Sequence, residues 1–302
     1  REALGALLAP WRATVFDRWM RKDIHEINRL AWNAATQAHN SHKGDQARYL
    51  REGGSTLFPE EVELLGGLAG KSLVHLQCNA GQDTLSLAKL GATVTGVDIS
   101  DEAIAFATRL SEQSGIPATF VRSDVYDWFA AASARGEQFD RVFSSYGAIM
   151  WLSDMAAWGQ GIAAVLKPGG TFVLVEFHPF SLVFNEKLER DWPYFPAGPI
   201  IESSGVGDYV AYSKEGLVPW GYEEGATAFT NPHPSGVFAW GIGDVVTALI
   251  DAGLRLEVLR EYEYANGCAR FDGSVLREGR RYYLPDGVPN LPQMFAVRAR
   301  KG

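Results

Sequence analysis

The sequence predicts an α/β fold with a doubly wound, mostly parallel sheet, on three observations. Strand-like apolar runs alternate with helical patterns from residue 73 onward, and such alternation places helices on both faces of a parallel sheet. Capping residues and chain breakers fall between the runs, where helices must start and stop. The stretch HLQCNAGQDTLSLA, residues 75–88, has the outline of a strand, a tight turn with one glycine, and a helix.

In chain order, LVHLQ (73–77) is the first strand and DTLSLAKLG (83–91) the first helix after it. Leu85 and Ala88 are i, i+3 neighbours there, and Gly91 is the C-terminal stop. TVTGVDIS (93–100) is the second strand. Ser100 then caps a helix whose first turn holds Asp101 and Glu102 against the positive end of the helix dipole. ATFVRSD (118–124), RVFSSYG (141–147) and TFVLVEF (171–177) are further strands. A helix from about Asp154 to Leu166 precedes the last of these and stops at Lys167-Pro168-Gly169-Gly170. Residues 178–243 then lose all sustained period and become rich in proline, glycine and aromatics. The alternation resumes with DVVTALIDAGL (244–254), RLEVLREYEY (255–264) and a last strand around Met294–Arg300. The expected division is an N-terminal helical extension over 1–69 and a cofactor-binding domain over 70–302, carrying an insertion at about 178–243.

Composition narrows the function classes. Of 302 residues, 46% are hydrophobic and 21% charged, as in an ordinary globular protein. A net charge of -8 without a Lys/Arg-rich run argues against a nucleic-acid partner. Two distant cysteines, Cys78 and Cys268, make no disulfide framework and fit a reducing compartment. No run of 18 apolar residues is present, so no membrane span is expected. The start, REALGALLAPWRATVFDRWMRKD, reads as an amphipathic helix without the cleavage site of a secretory signal. The expectation is a cytoplasmic protein, monomer or homodimer, acting on a small molecule.

The one-glycine turn selects among nucleotide ligands. A dinucleotide loop needs glycines so that a pyrophosphate can lie against backbone N–H groups. Here Gln77 and Asn79 stand at the earlier glycine positions, and Gly81 remains as the point of close approach. Asn79 can turn left-handed at modest cost, while Gln77 brings bulk where a pyrophosphate would lie. This disfavours a nicotinamide-dependent dehydrogenase. Asp98 ends the second strand, where a carboxylate can accept both ribose hydroxyls and Ile99 can flank a purine. Asp124 ends the third strand, suited to an exocyclic adenine amine or to capping the next helix.

The run VHLQCNAGQDTLSLAKLGATVTGVDISDEAIAFA, with SDVYDW, FDRVFSSYGAIMWL and LKPGGTFVLVEFHP after it, resembles the motif series of class I S-adenosylmethionine-dependent methyltransferases. The resemblance covers residues 70–180 well and 244–300 more loosely. It implies a Rossmann-like sheet of seven strands with an antiparallel last strand, and S-adenosylmethionine as cofactor. Carried over by position, His75, Gln77, Cys78, Asn79 and Gly81 would meet the methionine part. Asp98 would hold the ribose, Ile99 the adenine face, Asp124 and Val125 the adenine amine and ring, and Ser144 would contribute backbone near the cofactor. His75 departs from the family's usual acidic residue, and two loop glycines are missing.

For the chemistry, His178 directly follows the fifth strand and Tyr146 the fourth, both at strand ends where ligands gather. His178 is a catalytic candidate or else orders the Pro179 turn; Tyr146 lines the transfer site or packs in the core. Ser144-Ser145-Tyr146-Gly147 replaces the Asn/Asp-Pro-Pro-aromatic motif of the members that methylate amide or adenine nitrogens. The insertion aromatics Phe184, Trp192, Tyr194, Phe195, Tyr209, Tyr212, Trp220, Tyr222, Phe229, Phe238 and Trp240 form a roof from which three or four rings are expected to touch ligand. The polar stretch 38–50, with His39, Asn40, His42 and Lys43, is a lid or a solvated loop. A zinc site from His39 and His42 with His178 or His233 is disfavoured, and no metal is expected. The leading function is methyl transfer to a small, secondary-metabolite acceptor. The alternative keeps the cofactor but attacks another sulfonium carbon, as in cyclisation or aminocarboxypropyl transfer, releasing methylthioadenosine. A non-catalytic cofactor sensor is the third reading.

Overall fold

The computed structural model describes residues 20–302; most of the amphipathic start read at residues 1–23 lies outside them. Helices α1 (Lys22–Ser41), α2 (Gln46–Arg51) and α3 (Pro59–Leu65) make up the described N-terminal extension. The sheet domain follows as β1 (Ser72–Leu76), α4 (Gln82–Lys89), β2 (Thr93–Asp98), α5 (Asp101–Ser114), β3 (Thr119–Arg122), α6 (Val125–Ala134), β4 (Phe139–Ser145), α7 (Met155–Val165) and β5 (Leu166–Phe177). The caps are side chains in the expected places. Ser100 accepts from Ala103 N at 3.1 Å, Asp124 from Tyr126 N at 2.9 Å and Asp154 from Ala157 N at 2.8 Å.

The insertion contains β6 (Ile200–Glu202), α8 (Tyr209–Ser213) and β7 (Ser235–Val237), and the chain returns to the sheet through α9 (Ile242–Asp251) and β8 (Leu254–Tyr262). A second excursion carries β9 (Tyr264–Asn266), β10 (Val275–Arg277) and β11 (Arg281–Tyr283) as a separate three-stranded sheet before β12 (Met294–Lys301). The sequence showed no period here, because strands of three residues are too short to carry one.

The main sheet has seven strands in the order β3-β2-β1-β4-β5-β12-β8. The strands from β3 to β5 run parallel, and β12 is antiparallel to both β5 and β8. Both faces are buried, so β5 alternates between two cores. Phe172 and Leu174 pack with Trp158, Ile162 and Phe295 on one face; Val173 and Val175 pack with Leu65, Leu87 and Phe143 on the other. The Lys167-Pro168-Gly169-Gly170 breaker does not end before the strand as expected. It lies inside β5 as an irregularity that shifts the register against β4, with Gly169 at φ 74°. Strand order reverses between β1 and β4, and in open α/β sheets ligands bind beside the carboxyl ends of strands at such a reversal.

Candidate functional site

A cavity of about 1090 Å³ opens at the carboxyl ends of β1, β2 and β4. That volume exceeds what one drug-sized ligand needs and suits two ligands side by side. Its walls come from the strand-end turns, the first half of α1 with Lys43 beyond its end, the insertion and the second excursion.

The turns are held in strained shapes. Gln77 (φ 53°), Asn79 (φ 48°), Tyr146 (φ 42°) and Arg280 (φ 60°) all line the cavity in the left-handed region, which costs a non-glycine residue of order 1–3 kcal/mol. Strain of this kind is kept where the surroundings over-determine it. Asn79 N donates to Asp98 Oδ2 at 2.8 Å, and Gln77 Nε2 donates to the Ala148 carbonyl at 2.6 Å. The Gln77 carbonyl oxygen is left buried without a partner.

The expected glycine acts differently from the sequence reading. Gly81 does not line the cavity; a Cβ there would sit 2.7 Å from Ala107 Cβ and 2.9 Å from the Phe120 ring. Its φ of 80° and this close packing seat the start of α4, so the close approach is to protein and not to ligand.

Asp98 lines the cavity at the end of β2. Its carboxylate accepts Asn79 N and Ser100 N, each at 2.8 Å. Burial pushes its pKa up, and the backbone N–H bonds oppose that. Ile99 and Val125 line the same wall. Asp124 is more heavily committed than the sequence suggests. Besides capping α6, it accepts from His25 Nδ1 at 2.6 Å and pairs with Lys22 Nζ at 3.0 Å. Burial alone would raise its pKa, but the hydrogen bond from His25 and the charge of Lys22 hold it down at about 2. His25 also lines the cavity, stacked on Tyr126 at 5.6 Å, and its Nε2 is buried without a partner. His25 gave no sequence signal, because α1 brings it from outside the strand–helix pattern.

His75 takes a hydrogen bond with Thr84 Oγ1 at 2.9 Å, and burial lowers its pKa to about 4, so the ring is neutral at pH 7. Cys78 is buried at the cavity wall, its thiol pKa pushed up by burial. The charged residues of this end include Asp83, at the start of α4, Lys43, just after α1, and Arg280, whose guanidinium feels the Asp83 charge. Burial lowers the Lys43 pKa to about 8 against the opposing pull of Asp83 and Asp208. The stretch 38–50 is therefore packed: His39, His42 and Gln46 are buried, and His42 bonds Asp208 at 2.8 Å.

Tyr146 lines the cavity and accepts from Asn266 Nδ2 at 2.9 Å. Burial and the nearby Glu61 push its pKa well above the ordinary phenol value. Ser144 does not reach the cavity. It is fully buried in β4 with its hydroxyl unpartnered, and Ser145 lines the wall instead. His178 does not reach it either. Its Nε2 lies 2.9 Å from Glu261, and its Nδ1 accepts Phe180 N at 3.1 Å, so the ring fastens the turn after β5. Sequence reasoning missed Glu176, at the end of β5. Its buried carboxylate accepts Ala148 N at 2.7 Å, Ile149 N at 3.1 Å, Phe177 N at 2.7 Å and also Gly147 N, which fixes the turn after β4. Of the eleven roof aromatics, seven line the cavity: Phe184, Trp192, Tyr209, Tyr212, Trp220, Phe238 and Trp240. Among the described residues no helix is long and apolar enough to cross a membrane, and no three metal-binding side chains gather.

Residues 74–170 match the methyltransferase domain family. A ubiquinone biosynthesis O-methyltransferase of Methylobacterium sp. (strain 4-46) is 30% identical over 162 residues, covering 50% of this chain and 61% of that protein. An S-adenosyl-L-methionine-dependent Diels-Alderase of Talaromyces variabilis is 33% identical over 119 residues, covering 38% of this chain and 40% of that protein. The chain thus spans less than two thirds of these relatives. The structure of an S-adenosylmethionine dependent methyltransferase from Mesorhizobium loti superposes with a TM-score of 0.50 at 20% identity, over 83% of this chain and 100% of that one. At that identity the likeness shows the fold.

Proposed function

We propose that the chain, whose residues 74–170 match the methyltransferase domain family, is a class I methyltransferase that binds S-adenosylmethionine across the strand ends and methylates a small-molecule acceptor of the secondary-metabolite kind. The observation that carries this reading is the cavity at the sheet's reversal point, with its ordered set of polar and apolar groups. Asp98 uses two of its four acceptor positions on backbone N–H groups, which leaves two for ribose hydroxyls. Ile99 and Val125 offer apolar faces to an adenine, and the unpartnered His25 Nε2 beside Asp124 is an acceptor for its amine. With His75 neutral, Asp83 and Lys43 supply the two charges that an amino-acid end requires, and Gln77, Cys78 and Asn79 shape the wall between them.

The bound cofactor supplies a methyl group already activated on a sulfonium. The protein's work is then to align the acceptor with that carbon and to exclude water. The seven roof rings do the excluding, and their faces attract a cation. Tyr146 keeps its proton, because burial holds its pKa high, so it orients an acceptor by hydrogen bonding and does not serve as a base. We leave His178 and Ser144 out of the reacting set, since neither lines the cavity, and Gly81 enters only as the seat of α4. We read the protein as cytoplasmic, a monomer or homodimer, and without a nucleic-acid partner given its charge of -8. The test is equilibrium binding of S-adenosylhomocysteine and of a nicotinamide dinucleotide. The first should bind and the second should not; the reverse result overturns the proposal.

A second reading keeps the cofactor and changes the reaction; the relative named as a Diels-Alderase supports only that a protein similar over part of its length is named for a reaction other than methyl transfer. This reading includes attack at another sulfonium carbon with release of methylthioadenosine. The aromatic enclosure serves that chemistry equally well, so product analysis decides between the two.

A further inference from the structure

We infer that the acceptor carries a carboxylate and that Arg270 binds it. This deepens the proposed function, since it takes the cavity as a chamber shared by cofactor and acceptor. Arg270 follows β9 and lines the cavity. Its one hydrogen bond is from Nη2 to the Ser181 carbonyl, at a long 3.3 Å, and its Nε is buried without a partner.

The Nε atoms of Arg281 and Arg298 are likewise buried without a hydrogen bond, but each of those arginines has a carboxylate partner, Glu60 and Glu257 respectively. Arg280 donates to the Gly216 and Thr56 carbonyls at 3.0 and 2.7 Å. Arg270 has no ion-pair partner among the described residues, although Glu186, Asp191 and Asp272 line the same cavity. The Phe271 ring lies 5.5 Å from the guanidinium carbon, and Cys268 and Tyr212 are the titratable groups that act on it. Burial raises the pKa of both Tyr212 and Cys268, so neither supplies negative charge at pH 7. A guanidinium stays charged in proteins, and Arg270, half-buried on the cavity wall, keeps most of its donors unused. Its planar fork matches a carboxylate with two parallel hydrogen bonds.

The cofactor's own carboxylate is the rival occupant, and the topology separates the two. Lys43 and Asp83 stand beside the turn after β1, whereas Arg270 is tied to Ser181, after β5. β4 lies between those strands, so at about 4.8 Å per strand the two ends are roughly 10 Å apart. Phe271, beside Arg270, and Tyr212, which acts on it, line the cavity, as does Phe184 of the insertion, and they suit an apolar or aromatic body behind the acid.

The test uses three carboxylates, 4-hydroxybenzoate, cinnamate and octanoate, each beside its primary amide. Affinities are measured calorimetrically on the full chain, with and without S-adenosylhomocysteine. At least one acid should bind about tenfold or more tighter than its amide, and Arg270→Gln should abolish that preference while leaving S-adenosylhomocysteine affinity unchanged. Arg270→Lys, which keeps the charge, should retain part of it and controls for folding. A wild type without any acid preference, or a preference that survives in Arg270→Gln, overturns the inference. A tenfold loss of S-adenosylhomocysteine affinity in Arg270→Gln also overturns it, by assigning the residue to the cofactor. Failure of the wild type to bind S-adenosylhomocysteine sinks the cofactor reading, and the acid preference measured without it still decides the role of Arg270.

Discussion

Replacing Asp98 with alanine should weaken S-adenosylhomocysteine binding by at least about tenfold, and the geometry sets that figure. The carboxylate already accepts Asn79 N and Ser100 N, one bond to each oxygen, and so keeps one further acceptor position per oxygen. A hydrogen bond to a charged group contributes about 1.5–3 kcal/mol, so losing one ribose bond costs roughly 10- to 150-fold and losing both costs more. The substitution also strands Asn79 N, in the turn that holds this residue left-handed, and Ser100 N, after β2, so part of any loss comes from these loops. A comparison with the 2′-deoxy analogue of S-adenosylhomocysteine separates the two effects. Isothermal calorimetry should show the wild type binding the analogue more weakly by about one charged hydrogen bond, roughly tenfold or more, and Asp98→Ala binding both ligands alike. If Asp98→Ala still prefers the ribose form, or binds as the wild type does, the ribose assignment is wrong.

Four further outcomes are expected. His178→Gln should leave turnover within about twofold and lower the melting temperature, because the ring fastens a turn outside the cavity; a large loss of turnover at unchanged stability would return the residue to the chemistry. Gly81→Ala should destabilise by about 2 kcal/mol or more, from a Cβ placed 2.7 Å from Ala107 and a φ of 80°; an unshifted denaturation midpoint would contradict this. Acid should unfold the protein through His75 and Asp124, both with folded pKa values held below ordinary ones. The stability from neutral His75 is present above about pH 6.5 and lost toward its folded pKa of about 4. That from Asp124 is present above about pH 4 and lost toward about 2, some 2 kcal/mol in all. His75→Gln should flatten the first part of a melting-temperature profile and Asp124→Asn the second; parallel profiles would refute the assignment. Lys43→Ala should weaken S-adenosylhomocysteine but not adenosine, since the ammonium faces the amino-acid end; equal losses for both ligands would place Lys43 elsewhere.

The order of strands and helices was readable because each carries its own period and its own cap, as Ser100 and Asp154 show. Asp98 was readable for the same reason, since a strand end fixes where its side chain can reach. The errors arose where a side chain's direction depends on tertiary contact. Ser144 and Ser145 are equivalent in composition, but alternation along β4 sends one into the sheet and the other to the cavity. The role of His178 turned on Glu261, which is 83 residues away and carries no local signal. His25, Lys43 and Arg270 come from segments outside the alternating pattern, and no spacing rule links them to the strand ends. What marks His25 and Arg270, visible only in three dimensions, is an unpartnered buried nitrogen on a residue that lines the cavity, and for Arg270 the lack of any carboxylate partner among the described residues.

The central claim is that the cavity holds S-adenosylmethionine and that its methyl group moves to an acceptor. Mass spectrometry of the protein incubated with deuteromethyl-labelled S-adenosylmethionine and a mixture of small aromatic and aliphatic acids tests it most directly. The account predicts enzyme-dependent S-adenosylhomocysteine, matched by one acid that gains the labelled methyl group. Methylthioadenosine in its place, or bound cofactor that stays intact with every acceptor, would contradict it.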